Sequence, residues 1–75
     1  MTTRSLTAVI SREGEWYVAH CPELDIISQG GTVEEARGRL TEALELFFET
    51  APAEEIERRS AAGEVYVTNV VVAVA

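Results

Sequence analysis

The sequence has no lysine, one histidine and one cysteine, and none of its apolar runs is long. Its six basic residues are all arginines, scattered as Arg4, Arg12, Arg37, Arg39, Arg58 and Arg59 against thirteen acids, for a net charge of −7. A nucleic-acid binder carries a basic stripe, so no direct nucleic-acid partner is expected. An acidic surface instead attracts basic partners. Cys21 cannot form an internal disulfide, and one unpaired thiol suits a reducing compartment. The longest apolar run, Val70 to Ala75, falls far below the roughly 20 residues that span a bilayer. The N-terminal stretch also lacks the apolar core of a signal peptide. The expected location is the cytoplasm, with no membrane partner.

What is present is enough for one domain, residues 1–75. An apolar fraction of 47% supports a folded chain. At this size only roughly 60% of the unfolded surface is buried, so a partner subunit is a common aid to stability. Residues 4–12 read as a strand, with Leu6, Ala8 and Ile10 on one side of a period-two pattern. Glu13-Gly14-Glu15 is a short turn into a second strand, Trp16 to His20, and the pair reads as a hairpin. Pro22 ends that strand, because proline cannot donate to a central ladder. A third strand over 25–29 is stopped by Gly30-Gly31.

The clearest element follows. Thr32-Val33-Glu34-Glu35 has the spacing of a capping box, with Glu34 and Glu35 at the positive end of the helix dipole. Val33, Ala36, Leu40, Ala43, Leu44 and Phe47 recur at steps of three and four, giving one apolar stripe. Leu40, Leu44 and Phe47 are expected to pack against Leu6, Ile10 and Ile27. Pro52 fits the first position of a second, weaker helix over 53–62, with Gly63 as its stop. Residues 64–75 read as a long strand, being too rich in valine for a helix. The order β-β-β-α-(α)-β predicts an α+β fold. It has one four-stranded mixed sheet, order 3-2-1-4, with the helix packed on one face.

Chemistry is sparse. The strand–helix order is also that of a ribonuclease-H-like opening, but the first strand has no acid and the fourth offers Asn69 where a carboxylate would be needed. Two-metal hydrolysis needs several converging carboxylates. His20 and Cys21 are too few for zinc, and neighbours on a strand point to opposite faces. Cys21 reads as a small buried hydrophobe. Glu23 and Asp25 read as a solvated acidic loop, and Gly30-Gly31-Thr32 as turn plus cap. The expectation is no catalysis, no metal and no cofactor.

Residues 17–36, from Tyr17-Val18-Ala19-His20-Cys21-Pro22-Glu23-Leu24 to Glu34-Glu35-Ala36, resemble the HicB family. The continuation Leu40-Thr41-Glu42-Ala43-Leu44-Glu45-Leu46 does so too. The shared pattern is an aromatic strand, a Pro-acid-Leu connection, a Ser-x-Gly-x-Thr turn and a helix continuing to Glu-Ala-Leu. The chain departs from it at Gly31, where an Asp is common, and at Asp25-Ile26, which replaces a frequent Pro-Gly. The resemblance implies an antitoxin-type domain with a partial ribonuclease-H-like sheet and no nuclease activity. Such a domain binds and masks a small basic HicA-type toxin that cleaves mRNA. The alternative is a solitary oligomeric HicB-like domain with an unknown ligand and no cognate toxin. Family members often carry a C-terminal DNA-binding domain. The sequence ends at Ala75 without one, so autoregulation is not carried over.

Two surfaces are expected to matter. Trp16, Leu46 and Phe48, rimmed by Glu42, Glu45 and Glu49, are candidate contacts for a basic partner. A competing reading has Trp16 capping the core and Phe48 filling a dimer interface. The second surface is the last strand, whose two faces are both apolar. Tyr66, Val70, Val72 and Val74 are expected to lie in the interface of a homodimer or a higher even oligomer.

Overall fold

The computed structural model describes residues 3–61 and 64–75. Its elements run β1 (Val9–Glu13), β2 (Trp16–Cys21), β3 (Ile26–Gly30), α1 (Val33–Thr50) and α2 (Ala53–Ser60). The three strands form an antiparallel meander in the order β1-β2-β3. Glu13 pairs with Trp16, so Gly14 and Glu15 make the hairpin loop. Gly14 sits at φ 62, the positive value that the first central residue of a II′ turn requires. Asp25 holds φ 53 just before β3, and Asp tolerates that region better than most residues do.

The register decides which side chains meet the helix. Ile10 pairs with Ala19, and Cys21 with Ile26. Those residues face α1, while Val9, His20 and Ile27 lie across one another on the open face. The core is Ala19, Cys21, Leu24, Ala36 and Leu40. Leu6, Ile10, Tyr17, Ile26, Leu44, Phe47 and Phe48 pack around it. Gly30 is buried beneath the start of α1, and a Cβ there would lie 2.6 Å from the Ala36 nitrogen. That close approach seats the helix on β3.

Thr32 caps α1 as its spacing predicts, with its Oγ1 accepting the Glu35 N–H at 3.0 Å. The Glu35 carboxylate reaches back one residue further than a capping box specifies, to the Gly31 N–H at 3.3 Å. Pro52 is the residue before α2 rather than its first residue. The Arg59 guanidinium ties α2 down by donating to the Leu24 carbonyl and lying 5.0 Å from the centre of the Phe47 ring.

Three expectations are corrected. Residues 64–75 form no strand, so the sheet has three strands and not four in the order 3-2-1-4. The valines there have high β-propensity, but propensity measures fit to a pleated, partnered surface. A lone extended segment has no ladder to join. Ile27 is 62% exposed and Ile26 takes the core position expected for it, because a one-residue step along a strand reverses the face. The first strand begins at Val9 rather than near residue 4. Ala62 and Gly63, the expected end of α2 and its stop, lie outside the described residues.

Candidate partner-binding surface

Helix α1 has 18 residues, enough for a buried side and a long outward side. The buried side holds Ala36 and Leu40. Leu46 falls off that stripe and is 58% exposed. Glu42 lies one turn before it, Glu49 nearly one turn after, and Glu45 adjacent; all three are exposed. None of the three takes part in an ion pair among the described residues. An exposed apolar side chain thus stands about one helical turn from the unpaired carboxylates of Glu42 and Glu49, with Glu45 beside it in sequence but on a different line of the helix.

The other two expected contacts sit elsewhere. Trp16 is 51% exposed at the start of β2. It shares the open sheet face with Val18, Val9 and Ile27. Phe48 is half-buried. Its ring meets Phe47 edge-on with centroids 5.3 Å apart, and the Arg4 guanidinium lies 4.8 Å from its centre. Phe48 therefore packs the end of α1 against the N-terminal segment, and Leu46 with its three glutamates is the group the fold brings together. The interface residues expected in the last segment are open to solvent: Tyr66 81%, Val70 81%, Val72 70% and Val74 87%.

The titratable groups around Cys21 diverge. Cys21 is buried toward α1, while His20 lies on the other face with its Nε2 2.9 Å from Asp25 Oδ1. Burial raises the Cys21 thiol pKa, reinforced by the Glu23 carboxylate beside it. A thiol kept protonated in this way is a poor nucleophile. Burial also pushes Glu23 upward, but hydrogen bonds donated by the Thr7 hydroxyl, its own N–H, the Cys21 thiol and the Thr7 amide outweigh it. The Glu23 carboxyl consequently sits below its usual value.

Glu23 acts as a clamp. Its Oε2 accepts the Thr7 hydroxyl at 2.6 Å and the Thr7 N–H at 3.0 Å, pinning the segment before β1 to the β2–β3 connection. The solvated acidic loop expected here is only half present. The loop places Glu23 inward with Leu24, which is 3% exposed, and leaves only the Asp25 side chain in solvent, 83% exposed. The one legible signal is Leu24, an apolar residue between two acids.

Among the described residues no cluster of three or more His, Cys, Asp or Glu side chains could hold a metal ion. No described helix is long and apolar enough to cross a membrane. Compared with family models, curated proteins and solved structures, the chain matches none.

Proposed function

We propose that this chain is a non-catalytic binding module that masks a small basic protein, which under the HicB resemblance is a HicA-type mRNA-cleaving toxin. The observation that carries the reading is Leu46, exposed on α1 between Glu42 and Glu49, with the exposed Glu45 next to it in sequence. A net charge of −7 steers a basic protein toward the chain over a range of about 8–10 Å at physiological salt. Lasting affinity then rests on apolar contact, with Leu46 as the anchor on α1.

The arginines support a protein partner over a nucleic acid. Arg4 and Arg59 lie over phenylalanine rings, and Arg12 donates to the Gly14 carbonyl. Arg39 pairs with Glu35, and Arg58 with Glu55. Few cations are left to neutralise phosphates, the contacts that dominate nucleic-acid affinity. The reading includes a cytoplasmic location, supported by the single unpaired thiol.

The test is co-expression with any small basic protein whose reading frame adjoins that of this chain, followed by kinetics on the purified pair. Glu42→Lys with Glu45→Lys should slow association about tenfold at low salt and leave folding intact. Leu46→Ala should speed dissociation instead. If the wild-type chain binds no such protein at any salt, the masking reading fails. The exposed valines of 64–75 would then favour the alternative, a solitary oligomer with an unknown ligand.

A further inference from the structure

Beyond α2 the chain carries a second uncovered surface with different chemistry. From Val65 to Ala75 there is no charged side chain, in a protein of net charge −7. Val67 is 69% exposed, Val70 81%, Val71 96% and Val74 87%, so the segment is uncovered on both sides. It belongs to no strand. The molecule is correspondingly drawn out to 51 × 28 × 19 Å, with a radius of gyration of 14.6 Å. A compact domain of this length would have about 11 Å. The root of the segment meets the body, where Glu64 and Val65 line a cleft with Pro22, Leu24 and Arg59.

A valine-rich segment of high β-propensity needs a sheet edge to form a strand, and the sheet has two. The β3 edge is short. Its five residues lie between Asp25, at φ 53, and the Gly30-Gly31 turn into α1. Strand β1 also has five residues, but no turn or bend interrupts residues 3–8 before it, so pairing along that edge has room to continue past Val9. Only that edge can lengthen toward the span from Val65 to Ala75. Among the described residues β1 pairs with β2 alone, so its outer edge carries no strand.

We infer that residues Val65–Ala75 of one chain add as a strand to the β1 edge of a second copy, and that the exchange is reciprocal. Charge selects the occupant. A neutral segment does nothing to recruit a basic partner, and two acidic chains repel least where the contact carries no charge. Area agrees. Apolar side chains of this size each offer on the order of 100 Å², so two exchanged segments and the surfaces they cover reach about the 1,200–2,000 Å² of a stable interface. Self-complementarity is also what a two-fold dimer requires.

The test uses the full chain, by sedimentation at micromolar concentration and by hydrogen exchange. The wild type should sediment at twice its 8.2 kDa mass. Those β1 amides that do not bond to β2 should be protected. Val70→Glu combined with Val72→Glu should weaken dimerisation by more than about a hundredfold, since charges enter an apolar contact. The same variant should expose those β1 amides while β2 stays protected. A wild-type monomer would overturn the inference, whether its β1 edge is protected or not. So would a dimer whose β1 exchange is indifferent to the substitutions.

Discussion

Helix α1 and the segment 64–75 both draw on apolar side chains, yet one builds the core and the other lies in solvent. Leu40 on α1 is 1% exposed, while Val71 is 96% exposed. The difference is in where backbone hydrogen bonds go. A helix closes its own N–H to C=O ladder, so α1 needs only one apolar surface to pack against. A strand satisfies its backbone only through a neighbour, and among the described residues of its own chain 64–75 has none. Side-chain hydrophobicity is thus a sufficient instruction for α1 and an incomplete one for 64–75.

The largest effect on this contrast should come from the buried side. Leu40→Ala removes a fully buried side chain from the core it shares with Ala19, Cys21, Leu24 and Ala36. It should cost about 2–5 kcal/mol in urea unfolding, a large share of a small domain's stability. An unchanged midpoint would mean that α1 is no better anchored than the valine segment. Next is Gly30→Ala, which forces α1 off β3 because the new Cβ would meet the Ala36 backbone at 2.6 Å. About 1–3 kcal/mol is expected, read as a lowered melting temperature.

A smaller effect sharpens the comparison by asking how the N-terminal segment is held. Thr7→Ala deletes the hydroxyl donor to Glu23 and should cost about 1 kcal/mol near neutral pH. The carboxyl of Glu23 is depressed in the fold, so its contribution is present above its unfolded pKa. It is lost as pH falls through the folded value. The gap between wild type and Thr7→Ala should therefore close in acid, as followed by thermal melts across the acid range. Smallest of all, Val71→Ser at concentrations that keep the chain monomeric should shift the unfolding midpoint by under about 0.5 kcal/mol. A larger loss would show that 64–75 packs on its own body.

Much of the helical layer is legible in the residues themselves. Threonine at position 32 with glutamate three residues on specifies the start of α1, and the three-four spacing specifies its buried stripe. The hairpin is legible in Gly14 between two β-rich runs. The face of the third strand is not, because Ile26 and Ile27 are adjacent and equally apolar. Only pairing with Cys21 puts Ile26 inward. Phe48 misleads for a related reason. It lies at the margin of the stripe, and its burial depends on Arg4 and Phe47 converging on it.

The sequence by itself determined what is local: the capped helix, the tight hairpin, the charge of −7 and the scarcity of histidine and cysteine. Those properties depend on neighbours within about one helical turn or on composition alone. Tertiary structure decided what is non-local. It turned Glu23 from a loop acid into a clamp on Thr7, sixteen residues away, and it left the valine segment outside the sheet. Both outcomes depend on which distant backbone groups come together, and a strand's hydrogen bonds are completed only by a neighbour whose place its own residues do not specify.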